Sequence, residues 1–350
     1  MQPDASRFAA LIDTARRAGP VRVAVADAAQ EVLLETLRDA TQAGLAEPLL
    51  IGEAGDIAAL CRTIGWNPGA ERIIAAPSEA QTAAQAVALV RDGAADVVMK
   101  GNLHTDTFMH ALLDSDHGLR LPGRRVSHAF VMEVPDRDRL IGITDAAVNI
   151  APDLAAKAQI CQNAIDLFHI LGVAEPRVAA LSAVETVTAD IVSTLDAACL
   201  TLMARRGQIT GAVVDGPLAF DNAISARAAT EKGIASEVAG RADILLVPDL
   251  VSGNMLAKAL EYLAGAVAAG VALGLSAPVV LTSRADPAPA RMAALAIAAL
   301  IHHHIAAQRH LLPRAQTERS LAAAPQPEHA CCPLSATSAN GAGPALKVVE

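Results

Sequence analysis

Short apolar segments alternate with helical segments along most of this 350-residue chain, and this alternation constrains its fold more than any other feature. Residues 21–26 form an apolar run, residues 31–42 have helical periodicity, and residues 48–51 form the next apolar run. Strands that alternate with helices usually form a parallel sheet covered by helices. The pattern therefore predicts an α/β protein with a largely parallel sheet.

One pair of predicted strands is joined by a turn instead of a helix. Residues 125–134 and 140–144 are apolar runs linked by a charged turn, so we expect them to be neighbours. The other predicted strands lie at residues 21–26, 48–51, 73–75, 96–99, 178–181, 212–214, 244–247 and 279–281. The predicted helices lie at residues 31–42, 79–91, 153–171, 191–205, 224–232, 255–269 and 291–308.

The uncharged run at residues 262–283 is long enough to imitate a membrane span. It is interrupted by Gly265, Gly270, Gly274 and Pro278. We interpret it as the end of a buried helix, a turn and a buried strand. Charged residues precede any apolar run at the N-terminus, so no signal peptide is visible. We expect a cytoplasmic protein with no membrane partner.

The charge and the cysteines exclude other classes of protein. A net charge of -9 argues against sequence-independent nucleic-acid binding, which depends on many Lys and Arg contacts to phosphates. Five scattered cysteines lack the spacing of metal ligands or of a disulfide framework. Adjacent histidines on one helix, as at residues 302–304, cannot chelate one ion together. We therefore expect no bound metal and no nucleic-acid partner.

The helical and strand patterns stop after residue 312. Residues 313–350 are rich in Ala, Pro, Ser and Thr and show little periodicity. Such a segment has too few apolar residues to join a core, so we predict a disordered tail.

The most informative candidate site follows the predicted strand at residues 279–281, where Ser283, Arg284 and Asp286 lie close together. Ligands of open α/β sheets bind at the carboxyl ends of the strands, and a helix predicted from about residue 287 would point its N-terminal amides there. The planar guanidinium of arginine suits phosphate. The same residues also fit a helix cap beside a surface ion pair of Arg284.

Four other predicted strands end in polar residues. They supply the candidate ligand-binding residues Lys100, Asn102, His104, Thr105, Asp145, Asn149, Asp215, Asp221, Asn222 and Asn254. Each also has a structural interpretation. An aspartate between a strand and a helix is commonly a turn or cap residue, a lone lysine is commonly solvated, and a lone histidine is commonly a surface or core residue.

The ordered motifs of the chain resemble those of the phosphate acetyl/butyryltransferase family over about residues 21–301. The matching segments are residues 99–106, 124–128, 143–154, 183–187, 194–198, 206–209, 214–225, 232–234, 242–258 and 277–286. The resemblance is strongest to the butyryltransferase-like branch, including the acyltransferase half of enoyl-CoA hydratase/phosphate acetyltransferase fusions.

The resemblance implies a fold like that of the isocitrate and isopropylmalate dehydrogenases. Two α/β domains would face each other across an interdomain cleft, usually in a homodimer. We place the first domain at residues 1–144 plus 274–312 and the second at residues 145–273. Ser283 and Arg284 would then belong to the first domain and face the cleft.

The resemblance also implies the reaction acyl-CoA + phosphate = acyl phosphate + CoA, with coenzyme A as a substrate and no cofactor. Arg284 would hold phosphate, and the Ser283 hydroxyl would donate to the developing oxyanion. The cleft would hold both substrates, so direct transfer in a ternary complex needs no covalent intermediate.

The chain departs from the family pattern at two positions. The acetyltransferases have a carboxylate, the proposed base for the CoA thiol, six residues after the matching arginine, where this chain has Ala290. Asp286 is a substitute candidate. The acetyltransferases also use an arginine in the segment that matches residues 105–112, and Lys100 or Arg125 would supply that charge here.

Two rival functions stay open on the sequence. One is a dehydrogenase of the same fold, for which the expected family motifs are missing. The other is a binding protein for acyl-CoA or acyl phosphate with weakened catalysis, which the loss of the base at Ala290 makes conceivable.

Overall fold

A computed structural model describes residues 6–311 of the protein, and its strands form one 11-stranded mixed sheet. The strands are β1 Val21–Ala26, β2 Ala46–Gly52, β3 Ile73–Ala75, β4 Val97–Lys100, β5 Ser127–Glu133, β6 Ile141–Thr144, β7 Arg177–Leu181, β8 Val213–Leu218, β9 Ile244–Leu246, β10 Val267–Leu273 and β11 Val279–Val280. The helices are α1 Arg7–Ala18, α2 Glu31–Gln42, α3 Ala54–Thr63, α4 Glu79–Arg91, α5 Thr105–Leu113, α6 Leu154–Ile170, α7 Val192–Arg205, α8 Phe220–Ile224, α9 Ala226–Glu231, α10 Leu250–Ala264 and α11 Ala288–Leu311.

The sheet has the strand order β3-β2-β1-β4-β11-β10-β5-β6-β9-β7-β8. Its pairings are parallel except for three successive ones, β11–β10, β10–β5 and β5–β6, which are antiparallel. Because three antiparallel pairings separate them, the strands β1 to β4 and β11 run opposite to β6, β7, β8 and β9. The polar residues predicted at the carboxyl ends of strands therefore lie at two opposite ends of the strands in the sheet.

The central strands are buried on both faces, which explains their continuous apolar runs. Along β1, Val23 and Val25 belong to one core cluster, and Ala24 and Ala26 belong to another. Continuous burial is the expected pattern for parallel strands that are covered by helices on both sides. The predicted α/β fold with a large, mostly parallel sheet is confirmed, and each predicted strand overlaps an observed one.

The interpretation of residues 262–283 was wrong in part, because it missed β10. The helix predicted to reach residue 269 ends at Ala264, where Gly265 adopts a left-handed conformation with φ 67° and its N–H bonds to the Leu260 carbonyl. This is a helix C-cap that glycine favours. The next residues form β10, which pairs antiparallel with β5 along its whole length.

Two further differences concern helices. The helix predicted at residues 224–232 is observed as α9, which begins where Ser225 accepts a hydrogen bond from the Ala228 N–H, and the short α8 before it was not predicted. The sequence interpretation also missed α1, α3 and α5. The predicted disordered segment at residues 313–350 lies outside the described residues.

Within residues 6–311, α11 is the one helix that is long and apolar enough to cross a membrane, over residues 288–308. In its most apolar 18-residue window, 56% is buried inside the protein. Its central residues, Ala293 to Ala299, are each at most 1% exposed. The apolar character of α11 is therefore accounted for by its place in the core.

Candidate functional site

The carboxyl ends of β1, β4 and β11 lie side by side and bring several charged residues together. Lys100 is the last residue of β4, Asp27 follows β1, and Arg284 and Asp286 follow β11. Arg291 approaches from the first turn of α11. We call Asp27, Lys100, Arg284, Asp286 and Arg291 the β4 cluster.

A glycine allows the ends of β1 and β4 to approach each other. The Gly101 N–H donates to the Ala26 carbonyl, and the Asn102 N–H donates to the Asp27 carbonyl, both at 2.8 Å. A Cβ on Gly101 would clash with the carbonyl oxygens of Ala26 and Asp27. Only a residue without a side chain permits this approach to the neighbouring strand end.

Lys100 is buried, with 3% of its surface exposed. Its Nζ donates one long hydrogen bond of 3.4 Å to the Gly101 carbonyl, and no carboxylate of the described residues forms an ion pair with it. Burial, and then repulsion from Arg284 and Arg291, lowers the pKa of Lys100 to about 8. The interpretation of Lys100 as a solvated surface lysine does not hold.

Arg291 is the largest fully buried side chain among the described residues, with 2% exposed. Its Nη2 donates to the carbonyls of Arg284, at 2.9 Å, and Ser283, at 3.5 Å. Its Nε and Nη1 have no hydrogen-bond partner within the described part of the chain. Burial lowers the pKa of Arg291, because a site with little water disfavours the charged form.

The Arg284 side chain is exposed while its backbone is fixed. Its carbonyl accepts hydrogen bonds from Arg291 and from the Gln30 Nε2, the latter at 3.1 Å. The alternative of a surface ion pair for Arg284 is wrong within residues 6–311, where no carboxylate pairs with it. Its guanidinium is thus open to a ligand at the edge of the sheet.

Asp286 fixes the backbone of Ser283. Its Oδ2 accepts the Ser283 N–H at 2.7 Å, and its Oδ1 lies 3.9 Å from Nζ of Lys258 in α10. The carboxylate is buried, with 3% exposed, and burial raises its pKa. The sequence alternative placed the carboxylate on an N–H of the following helix, whereas the observed N–H precedes it by three residues.

The three cations of the β4 cluster lie close to carboxylates. Asp27 and Asp286 belong to the cluster, the Glu79 carboxylate acts on it from its rim, and burial raises the pKa of Asp27. Asp27 adopts a left-handed backbone conformation with φ 57°, which is uncommon for a residue other than glycine. Two buried cations beside an exposed guanidinium are suited to binding an anion.

His104 and Thr105 lie next to the β4 cluster at the start of α5. The backbone N–H and Nδ1 of His104 both contact the Glu79 carboxylate at 2.9 Å, and these bonds lower the pKa of Glu79. Thr105 is the first residue of α5, which Phe108 and Leu112 anchor in the core. These contacts fix the direction of α5 away from the cluster.

A second polar group forms around Asp145 at the end of β6. The buried Asp145 carboxylate accepts the backbone N–H groups of Ala147 and Val148 at 3.0 Å and also binds Asn149. Arg125 donates to the Asn149 side chain at 3.0 Å. Asp145 is therefore a turn residue, as its structural interpretation predicted.

A cavity of about 750 Å³ borders this second group. It is lined by Arg120, Arg124, Arg125, Asn149 and Leu113, among others. Leu113 is the last residue of α5, so α5 leads from the β4 cluster to this cavity over about 13 Å. Asn254, in α10, donates to the Ala146 carbonyl at 3.3 Å beside the same turn.

The remaining predicted residues lie at the β7–β8 end of the sheet. Asn222 donates to Glu185 at 3.2 Å, and Lys232 lies 3.6 Å from Glu185 and 3.2 Å from Asp221. The Asp215 carboxylate accepts the N–H of its neighbour Gly216. No described contact joins these residues to the β4 cluster.

Sequence reasoning missed Asp27, Glu79 and Arg291. The available signal for Arg291 was a single charge in the otherwise apolar stretch at residues 287–301. A charged residue that begins a buried helix must be explained by a partner or a ligand. Asp27 follows the first predicted strand and offered the same strand-end signal as Lys100.

Comparison with known proteins identifies the family. The family model described as "Phosphate acetyl/butaryl transferase" matches residues 69–299. A phosphate acetyltransferase of Rhizobium meliloti is 51% identical over 84% of this chain and 93% of its own length. A phosphate butyryltransferase of Clostridium acetobutylicum is 44% identical over 80% of this chain and 93% of its own length. The crystal structure of a branched-chain phosphotransacylase from Enterococcus faecalis V583 is 32% identical, with a TM-score of 0.70 over 81% of this chain and 100% of that one. This chain therefore belongs to the phosphate acetyl/butyryltransferase family.

Proposed function

We propose that this acyltransferase catalyses the reaction acyl-CoA + phosphate = acyl phosphate + CoA, with both substrates bound at once. The observation that carries the proposal is the β4 cluster, in which the exposed guanidinium of Arg284 lies beside the buried cations Lys100 and Arg291. A phosphate dianion would pair with that guanidinium. No cofactor takes part, and coenzyme A is a substrate.

Arg284 holds the phosphate, and Ser283 stabilises the reacting carbonyl. The Arg284 backbone is fixed by Gln30 and Arg291, so its guanidinium loses little freedom when it pairs with phosphate oxygens. The Ser283 hydroxyl donates to the oxyanion that forms when phosphate attacks the thioester carbon. Holding both reactants in the same site lowers the entropic part of the barrier.

Coenzyme A lies along α5, between the β4 cluster and the cavity at Arg125. Arg120, Arg124 and Arg125 line that cavity and suit the phosphate groups of the nucleotide end. The thioester end then reaches Lys100, Asn102, His104 and Thr105. Asn149 orients Arg125, and Asp145 and Asn254 support the turn that carries Asn149. Substrate contacts of Asp215, Asp221 and Asn222 stay a prediction from the family resemblance.

Asp286 positions Ser283 and is not the base. We expect Asp286→Asn to lower kcat by the same factor at every pH. The amide oxygen of asparagine still accepts the Ser283 N–H, but the geometry that fixes Ser283 loosens. Burial raises the pKa of Asp286, so its ionised form costs stability above that pKa, and the variant should melt no lower than wild type at neutral pH. The measurement is a pH–rate profile with thermal melting. A loss of about 100-fold at neutral pH that recovers as pH rises would assign the base role to Asp286.

We also propose the domain arrangement that the family resemblance implies. Residues 1–144 plus 274–312 form one α/β domain, residues 145–273 form the other, and an interdomain cleft resembling that of the isocitrate and isopropylmalate dehydrogenases holds the substrates. The reversal of strand direction between β11 and β6 supports a division into two halves. A homodimer in the cytoplasm completes the proposal, and a monomer in sedimentation velocity would contradict the dimer.

A thiol-release assay tests the function. Acetyl-CoA and butyryl-CoA are each incubated with the protein, with phosphate, arsenate or neither. We expect free CoA to appear only with phosphate or arsenate, and the ratio of the two rates gives the preferred acyl length. A protein that binds acyl-CoA without turnover is the weakened binding protein, and no response to either acyl-CoA rejects the family activity.

A further inference from the structure

Lys100 is buried in a way that a lysine with a purely structural role would not need. Its amine lies at the carboxyl end of β4, 97% of the residue is buried, and its one hydrogen bond is long. Nothing within residues 6–311 neutralises it by an ion pair. A buried charge without a partner destabilises the fold, so its presence points to a function.

Five charged groups from four elements face Lys100. They are Asp27 after β1, Glu79 in α4, Arg284 and Asp286 after β11, and Arg291 in α11. Burial has the largest effect on the amine, the two arginines come next, and Asp286 and Glu79 oppose them. The resulting pKa of about 8 leaves both the ammonium and the neutral amine populated near neutral pH.

The carboxylates around Lys100 are already engaged. Asp286 accepts the Ser283 N–H, and Glu79 accepts two hydrogen bonds from His104. A backbone hydrogen bond from Ala29 lowers the pKa of Asp27 against the effect of burial. The position six residues after Arg284 is Ala290, which is 1% exposed and has no group that transfers a proton.

We infer that the Lys100 amine carries the proton between phosphate and the sulfur of coenzyme A. This inference rests on the proposed function and adds a general acid–base residue to it. Lysine performs such chemistry when burial and a neighbouring cation bring its pKa toward the working pH.

The proton balance closes without any further reactant. The neutral amine accepts the proton of hydrogen phosphate as a phosphate oxygen attacks the thioester carbon and the new C–O bond forms. The tetrahedral intermediate then collapses, the C–S bond breaks, and the ammonium gives the same proton to the CoA sulfur. In the reverse direction the amine deprotonates the thiol and the C–S bond forms; the C–O bond to phosphate then breaks, and the ammonium gives the proton to the leaving phosphate.

Two variants separate proton transfer from simple anion binding. Lys100→Arg keeps the positive charge but does not titrate near neutral pH. We expect its kcat to fall by about 100-fold while the KM for phosphate changes little. Lys100→Ala should lose at least as much and should be rescued by added ethylamine in proportion to its free-base fraction, whereas guanidinium should not rescue it.

Lys157→Arg is the matched control, because Lys157 is also buried but pairs with Asp196 at 2.6 Å away from the β4 cluster. Its kcat should equal that of wild type. Thermal melting of each variant shows whether it folds, and ethylamine rescue needs a folded protein.

The outcomes distinguish this inference from the function on which it rests. A wild-type protein without phosphate-dependent thiol release overturns the proposed function and this inference together. An active wild type whose Lys100→Arg variant keeps its kcat overturns the inference alone. Rescue of Lys100→Ala by guanidinium as well as by ethylamine also overturns it, because the lost group would then be a charge and not a proton carrier.

Discussion

Replacing Arg284 with alanine is expected to lower kcat/KM for phosphate by about 1,000-fold. The exposed guanidinium of Arg284 is open to a ligand, and its backbone is held by Arg291 and Gln30. Alanine removes the paired N–H donors of the guanidinium. Lys100 and Arg291 remain, but the cation that faces the ligand is lost. Steady-state kinetics with phosphate varied at saturating acyl-CoA measure the effect.

The KM for acyl-CoA should change little in this variant, since the proposed nucleotide contacts lie at the far end of α5. Arg227→Ala is the control, because the Arg227 side chain is 87% exposed and pairs only loosely with Glu231. Unchanged phosphate kinetics in Arg284→Ala would remove Arg284 from the site.

Replacing Arg291 with methionine should raise the KM for phosphate and lower kcat/KM by about 100-fold without lowering the melting temperature. Arg291 holds the carbonyls of Ser283 and Arg284 and adds positive charge to the β4 cluster. Its Nε and Nη1 are buried without partners in the described part of the chain, so methionine also removes two buried donors that make no hydrogen bond. Activity should thus fall while stability does not.

The readouts for Arg291 are the separate KM values of the two substrates and the melting curve. A merely structural role predicts a lower melting temperature and equal losses for both substrates. The phosphate KM should recover partly in Arg291→Lys, which restores the charge. A variant that melts several degrees lower, with both KM values unchanged, would contradict the account.

Local patterns in the sequence predicted most of the strands but not the reversal of strand direction within the sheet. Strands such as β1 and β4 are buried on both faces, so their apolar runs stand out between helices. β10 was missed because its small residues follow a helix directly, and only the left-handed Gly265 separates the two. The pairings of β10 with β5 and β11 reverse the second half of the sheet. No local periodicity reports such a long-range pairing.

The sequence likewise predicted only some of the residues of the candidate site. Strand-end polarity identified Lys100, Arg284 and Asp286, which the structure brings together. It could not separate them from Asp145 or Asp221, because those residues follow strands that run in the opposite direction. Arg291 enters the cluster from a helix, and a strand-end rule gives no weight to such a residue.

The most direct test of the account is to follow the phosphorus NMR spectrum of wild-type protein with acyl-CoA and phosphate. We expect an acyl phosphate signal to grow while phosphate declines, with one free thiol released for each acyl phosphate formed. Added CoA should then reverse the reaction. Thiol release at the same rate without phosphate, or with no acyl phosphate signal, would contradict transfer to phosphate at the β4 cluster.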